Sequence, residues 1–541
     1  MDNRDADVLI IGGGPTGLAL ATELTMRGKR VCVVERNERT GVQPRAKTTN
    51  VRTMAHMRRW GLVPEVRRRS PLPQGFPRRV LFQHTLFANP IVSFDDSFCA
   101  SPQRRDEFPE HAEFIPQYVI EGILAEKVAS EPLATVMFGW ELVSFAEESE
   151  GVVARVRGRD GAERELRAPY IIGADGGRSS VRRLLGIEMR GKSNLTTFAT
   201  LILRIPGLIE RNGLPRGLFH FIVRPDAASI IGPLDQGDVW YFSRVAQAEV
   251  PTEDILNVAR RAIGCEVEIE VLARDNWVVH SLLADGYRKG RAFLAGDACH
   301  LHSPFGGHGM NLGIGDAVDL AWKLAAALGG WAGEGLLDSY AVERAQVHKA
   351  VIDSATRNVG ALSENFADPI LGETGPEADA ARTAAAAEIR KLKTPEFHSL
   401  GLVLGYRYTN SPAIAPPDRE GPPLEVSRYV PDATPGHLAP HFWIDETISI
   451  YDLFGIGFTL IVGEGQRDVS ALVEDVEATG IPLKVLRLDE ALIDRHFEAP
   501  LVLVRPDQHV AWRGNAIPES RRLIEIMRGE RRSQSEPGKS E

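Results

Sequence analysis

Near the start of the chain stands Asp7-Val8-Leu9-Ile10-Ile11-Gly12-Gly13-Gly14-Pro15-Thr16-Gly17. Its apolar run ends in glycine, the pattern of a strand buried in a parallel sheet. Leu18-Ala19-Leu20-Ala21-Thr22-Glu23-Leu24 continues as a helix, Gly28 closes it, and Arg30-Val31-Cys32-Val33-Val34 makes a second strand ending at Glu35. This is a βαβ unit with GxGxxG at its first turn. Gly12 permits the tight turn, Gly14 lets backbone amides approach a pyrophosphate, and Gly17 lets helix and strand pack closely. Pro15 and Thr16 open the helix, whose N-terminal N–H groups and dipole attract phosphate. Glu35, 18 residues after Gly17, can accept hydrogen bonds from ribose hydroxyls, with Arg36 beside it. The unit suits NAD or FAD, and a purely structural glycine turn is the bland alternative.

The chain has 541 residues, which at roughly 100–200 residues per domain predicts about three domains. Hydrophobic content of 43% and charged content of 25% exclude disorder, collagen and coiled coil. Lys plus Arg number 63 against 73 Asp plus Glu; the net charge of −10 argues against a nucleic-acid partner. Arg67-Arg68-Arg69 reads as a short solvated face. Cys32, Cys99, Cys265 and Cys299 show no metal-ligand or dithiol spacing, so no metal is expected and the reducing cytoplasm fits. No secretory signal and no membrane contact are expected, because glycines break the first apolar run and none reaches the ~20 residues of a span.

Residues 76–115 read as an excursion from the first sheet, 119–128 as a helix, and 134–172 as an antiparallel meander. Further strands fall in 190–245 and at 292–295, followed by long helices near 311–328 and 338–363. Prolines cluster at Pro412, Pro416, Pro417, Pro422 and Pro423. Beyond them a βαβββα order resembles a thioredoxin-like domain without cysteines. The expected division is an α/β, Rossmann-like dinucleotide domain split over 1–75, 116–186 and 281–376, and a β-sheet substrate domain from 76–115 and 187–280. A connector over 377–424, a thioredoxin-like domain over 425–529 and a disordered tail at 530–541 complete it.

Two more clusters choose between the dinucleotides. Ile171-Ile172-Gly173-Ala174-Asp175-Gly176-Gly177-Arg178-Ser179-Ser180-Val181-Arg182 and Arg291-Ala292-Phe293-Leu294-Ala295-Gly296-Asp297-Ala298-Cys299-His300 each set an aspartate at a strand end among small residues. With these, the sequence resembles the single-component class A flavoprotein monooxygenases, the aromatic hydroxylases. The first motif is similar to that family's FAD fingerprint, the second to its DG motif and the third to its GD motif. Ser303-Pro304-Phe305-Gly306-Gly307-His308-Gly309-Met310-Asn311 resembles the loop beside the isoalloxazine ring, and Gly315-Asp316-Ala317-Val318-Asp319-Leu320-Ala321-Trp322-Lys323-Leu324 the long helix after it. Arg45-Ala46-Lys47-Thr48-Thr49-Asn50-Val51-Arg52-Thr53-Met54, the region 400–408 and the thioredoxin-like end look like the phenol-hydroxylase subgroup.

The resemblance implies FAD as cofactor, NADPH or NADH as a transient reductant, and O₂ as co-substrate. With no second GxGxxG, the reductant would dock on a shared surface. It implies Asp297 against the ribityl chain and pyrophosphate, Arg45 and Gln117 on FAD's phosphates and ribityl, and Asp175 near FAD and reductant, with a helix cap as its structural alternative. Gly307 and Gly309 would offer backbone N–H groups to the flavin, Met310 and Asn311 would open a helix toward it, and Pro304 would stand beside its reactive face. The implied chemistry is hydride transfer to FAD, formation of a C4a-hydroperoxide, and attack on it by an electron-rich ring, giving hydroxylation of a phenolic or polycyclic aromatic, ortho to an existing hydroxyl.

Four further residues are candidates for handling the substrate. Lys47 stands where phenol-hydroxylase members carry an aspartate; it either stabilises a phenolate or carboxylate or is simply solvated. His220, Arg224 and Tyr241 sit in strands able to line a pocket, with sheet packing or surface exposure as the alternative. Cys299 and His300 read as packing residues. Baeyer–Villiger or epoxidising oxygen insertion on a polyketide-like substrate is the runner-up, and a non-catalytic flavin-binding redox sensor the reading of another class. A homodimer is expected.

Overall fold

Val8–Ile11, apolar at every position, needs cover on both faces and obtains it near the centre of a six-stranded sheet. The computed structural model describes residues 4–38, 46–246, 250–359, 362–465 and 468–530. The sheet runs Arg288–Lys289, Ala292–Leu294, Tyr170–Gly173, Val8–Ile11, Val31–Glu35, Ala134–Phe138. Every neighbouring pair is parallel except the outermost, Arg288–Lys289 with Ala292–Leu294. Strands from distant parts of the chain thus bring all three aspartate- or glycine-bearing turns to the same end of one sheet, where α/β folds bind their ligands. Ala134–Phe138 corrects the expected meander. The helix Gln117–Ala129 acts as a crossover and delivers it parallel to Val31–Glu35. Only Trp140–Glu148, Gly151–Gly158 and Glu163–Ala168 form the antiparallel meander.

Val80–Gln83 and Val92–Phe94, from the excursion, pair onto an eight-stranded sheet. Its other strands, in order away from them, are Phe219–Ile222, Ser229–Pro233, Val239–Val245, Met189–Arg204, Glu270–Ala284 and His300–Leu301. Register assigns its faces. His220 stands opposite Ile231, Ile231 opposite Phe242, and Phe242 opposite Leu201. That row lies under the helix Thr252–Ile263, with Ile255, Ala259 and Ile263 in the same core. The neighbouring row, Gly232, Tyr241 and Ile202, faces the other way, because successive strand side chains alternate. On this second face Phe82 and Phe221 meet Ile389 and Phe397 of the helix Pro376–Phe397. The alanine-rich segment read as a connector therefore contributes a helix that covers the sheet.

The C-terminal unit follows Phe458–Gly463, Ser470–Glu477, Leu483–Leu488, Glu490–Phe497, Leu501–Val504, Val510–Gly514 and Ser520–Arg528, a βαβαββα order. Leu483–Leu488 pairs parallel to Phe458–Gly463, and the remaining pairs are antiparallel, the thioredoxin arrangement. The helix Glu490–Phe497 is missing from the sequence reading; with Ile493 and Phe497 as its buried residues, its apolar period is too short to register.

Trp322 and Ala326 of the helix Gly309–Leu328 share a core with Phe458, Leu460 and Met527 of this unit. Beside them Arg505 reaches Glu343 at 2.7 Å, Asp319 at 3.0 Å and Asp507 at 2.6 Å, while Lys323 holds Asp319 at 2.8 Å and Glu343 at 2.6 Å. All of these side chains are at most 2% exposed. From residue 531 the expected disordered tail lies outside the described residues. Among the described residues no helix is long and apolar enough to cross a membrane.

Candidate active site

The first glycine turn is shaped by what its missing Cβ atoms avoid. Gly12 has φ +112°, and a Cβ there would lie 2.2 Å from the Ala174 carbonyl oxygen; one on Gly17 would lie 2.0 Å from the Gly12 oxygen. A Cβ on Gly14 meets nothing within 4 Å, so that flank is open. Pro15 starts the helix Pro15–Met26, where a missing N–H costs nothing. Thr16 packs where a Cβ on Gly296 or Gly313 would stand, locking the first helix to the third turn and to the helix Gly309–Leu328. The Glu35 carboxylate accepts the Gly13 N–H at 2.7 Å on Oε2 and the Asn37 N–H at 2.8 Å on Oε1. Oε2 keeps a second lone pair for a ribose hydroxyl. Arg36 is exposed. Asp175 Oδ2 accepts the Ser180 N–H at 2.6 Å, capping the helix Ser180–Leu185, while its buried Oδ1 has no hydrogen-bond partner among the described residues.

Asp297 is exposed at the third turn. Behind it, fully buried Asp316 collects the Gly296 N–H at 2.9 Å, Arg344 Nε at 2.7 Å, His348 Nε2 at 2.8 Å and His300 Nε2 at 3.1 Å. Burial opposes its ionisation, yet His348 and Arg344 hold its carboxyl well below the usual carboxylate range. Cys299, His300, Asp316 and His348 cluster closely enough to hold a metal, but the Arg344 guanidinium on the same carboxylate already supplies the positive charge.

At the opening of the helix Gly309–Leu328, Gly306 and Gly307 take φ of +91° and +69°. A Cβ on Gly307 would lie 3.0 Å from Thr48 Cβ, so this loop and segment 46–50 are in close approach. Asn311 ties them together: Nδ2 donates to Thr48 O at 2.9 Å and Gly307 O at 2.7 Å, and Oδ1 accepts the Asn50 N–H at 2.9 Å. Met310 is buried and Pro304 exposed. Gln117 holds the near end of the segment, its Oε1 accepting the Ala46 N–H at 3.3 Å. Lys47 lays its Nζ 4.2 Å from the Tyr241 ring centroid and 6.0 Å from that of Phe219. Burial lowers the Lys47 amine to about 8. The Tyr241 hydroxyl is buried with no hydrogen-bond partner among the described residues. Phe219 packs edge-on against Tyr241, Phe114 and Phe98, completing an aromatic wall.

Residues 5–355 match the family described as FAD binding domain, and 432–529 match the C-terminal domain of aromatic-ring hydroxylases. The chain belongs to the FAD-dependent aromatic-ring hydroxylases. This hydroxylase is 32% identical to 4-methyl-5-nitrocatechol 5-monooxygenase of a Burkholderia species, over 95% of each chain. It is also 32% identical to aklavinone 12-hydroxylase RdmE of Streptomyces purpurascens, over 95% of this chain and 96% of the relative. Its structure is similar to that of RebC with bound 7-carboxy-K252c, with a TM-score of 0.89 at 33% identity, covering 97% of this chain and 99% of RebC.

The residues of the hydroxylase fit FAD: Gly14 leaves room for a pyrophosphate at a helix N-terminus, and Asp175 keeps one buried acceptor unsatisfied among the described residues. Two sequence candidates do not join the site. His220 is 1% exposed on the opposite sheet face from Tyr241, its Nδ1 2.7 Å from Gln83 Oε1, and burial lowers it to about 3, so it is a neutral packing residue. Arg224 sits in the turn after Phe219–Ile222, paired with Asp226 at 2.6 Å at the surface. Arg45 lies outside the described residues. Sequence reasoning missed Lys393 and Glu396, a buried pair at 2.7 Å whose Nζ stands 5.3 Å from the Phe305 ring and 5.4 Å from that of Phe221. Their i,i+3 spacing was readable; their burial was not.

Proposed function

We propose that this hydroxylase uses NAD(P)H and O₂ to hydroxylate a phenolic or polycyclic aromatic compound, ortho to an existing hydroxyl, in the cytoplasm. The observation that carries the reading is the Lys47 ammonium laid against Tyr241, on a segment hydrogen-bonded to the loop 303–309. Gly14 and Gly17, Glu35, Asp175 and Asp297 would hold FAD, with Gly307, Gly309 and Asn311 at its ring. Bound FAD supplies the two-electron chemistry that accepts hydride from the nicotinamide and activates O₂.

The chain's own part is placement and charge. Lys47, protonated below about pH 8, stabilises a phenolate and so makes the ring carbon beside it more nucleophilic. The Tyr241 hydroxyl, which has no hydrogen-bond partner among the described residues, offers the substrate oxygen a hydrogen bond. Phe219 and Phe98, backed by the buried Phe114, would offer the substrate ring apolar surface and keep water out. The test is NADH and NADPH oxidation across a panel of phenols and fused-ring aromatics, with product mass. Oxidation accelerated by an aromatic ligand, with one oxygen atom added to it, is expected. Bound FAD with no ligand-stimulated turnover anywhere in the panel would favour a flavin sensor and overturn the reading.

A further inference from the structure

The C-terminal unit is a thioredoxin-like fold with no cysteine, so thiol chemistry gives it no task. Its turn between Leu501–Val504 and Val510–Gly514 does something else. Gln508 holds a left-handed backbone, φ +71°, a conformation that disfavours glutamine and persists only where its surroundings impose it. The side chain so presented is 2% exposed, and its Oε1 accepts a hydrogen bond from Arg52 Nη1. Arg52 Nη2 donates to the Asp507 carbonyl oxygen at 2.7 Å. Arg52 belongs to the helix Val51–Arg59, whose cap is Asn50; the Asn50 N–H donates to Asn311 Oδ1, and Asn311 Nδ2 holds Thr48 O and Gly307 O. Hydrogen bonds at Arg52 and at Asn50, joined by the backbone of 50–52, therefore link the C-terminal turn to the segment carrying Lys47 and to the loop 303–309.

Val51 and Ala55 of the same helix share an apolar core with Val502, Val504 and Val510, and Arg52 adds to that non-directional packing a directed polar link that fixes the helix against the turn. A cavity of about 40 Å³ adjoins it, lined by Asn50, Arg52, His56, Asn311, Asp507 and His509, and the buried His56 Nδ1 there has no hydrogen-bond partner among the described residues. Nor is the contact needed to dock the unit, because Arg505 with Glu343, Asp319 and Lys323 does that separately. We propose that the C-terminal unit positions the flavin-facing machinery, with Gln508 and Arg52 as positioning residues that fix segment 46–50 and the loop 303–309. The inference rests on the FAD hydroxylase reading above.

Gln508→Gly tests it cleanly. Glycine suits φ +71° without strain, so the turn and the ion network remain, while the acceptor for Arg52 is gone. The full-length apo chain is titrated with FAD by fluorescence, and the visible spectrum and thermal midpoint are recorded. Gln508→Gly is expected to fold with a lowered apo midpoint, since Arg52 loses a buried acceptor, to weaken FAD about tenfold, and to shift the bound-flavin bands. Gln508→Glu, which keeps an acceptor oxygen, is expected to restore both. A Gln508→Gly protein with wild-type FAD affinity and spectrum overturns the positioning role, as does a Gln508→Glu protein no better than Gln508→Gly. A wild-type chain that takes up no FAD overturns the hydroxylase reading itself, and this inference with it.

Discussion

Gly14 and Gly17 belong to one motif but fail differently when changed. A Cβ on Gly14 points into open space, so Gly14→Val should fold with an unchanged apo melting temperature and bind no FAD. A Cβ on Gly17 would sit 2.0 Å from the Gly12 oxygen, so Gly17→Ala should lower the melting temperature before cofactor matters. A yellow, loaded Gly14→Val protein would remove the pyrophosphate assignment. Lys47 sets a pH dependence. With the amine lowered to about 8, the ammonium is lost as pH rises through that value, so kcat/KM for a phenolic substrate should fall there. Lys47→Met should abolish that limb and lower kcat/KM about tenfold or more. Its linkage to stability has the same origin: an unfolded lysine holds its proton to about 10.4, so the penalty of burying Lys47 is full below pH 8 and fades above it. His220→Leu should cost about 1–3 kcal/mol by stranding Gln83, measured by denaturant unfolding, and leave kcat/KM within about twofold. The glycine motif was legible because each glycine answers a local steric demand. His220 and Tyr241 looked equivalent because one residue of register separates the two faces of a sheet.

The helix Gly309–Leu328 is the element on which the site converges. Its first turn carries Met310 and Asn311, and its second carries Asp316, which fixes the third aspartate turn through the Gly296 N–H. Its next two turns carry Asp319, which meets Arg505 of the C-terminal unit, and Lys323, which pairs with Asp319. Asp316→Asn leaves Arg344 and two histidines around a neutral amide, and we expect a loss of about 3–5 kcal/mol by denaturant unfolding together with weaker FAD retention. Because the folded-state carboxyl is held below the unfolded value, its contribution is full above about pH 4 and fades as pH falls further. The stability difference between wild type and Asp316→Asn should therefore shrink in strong acid; a constant difference would show that ionisation of Asp316 does not matter.

At the scale of the whole molecule, buried charge joins units that composition describes only as separate domains. Arg505→Met should cost about 3–5 kcal/mol, because Glu343 and Asp507 lose their main counter-charge in a dry interior. Limited proteolysis between 412 and 435 should become faster in that variant; unchanged cleavage would mean that the apolar contacts of Trp322 and Phe458 dock the unit alone. The βαβ start, the three glycine- or aspartate-bearing strand ends and the thioredoxin-like end are all readable from the sequence. Those features are written in local currency: glycine sterics, apolar period and the residue that ends a strand. Only the folded chain shows which strand edge Ala134–Phe138 joins, which sheet face holds Tyr241, and that the alanine-rich helix covers the sheet. It alone brought Arg52 to Gln508, 456 residues apart, and buried Lys393 with Glu396. Burial and long-range pairing depend on what the rest of the chain places opposite a residue, and no local window of sequence contains that information.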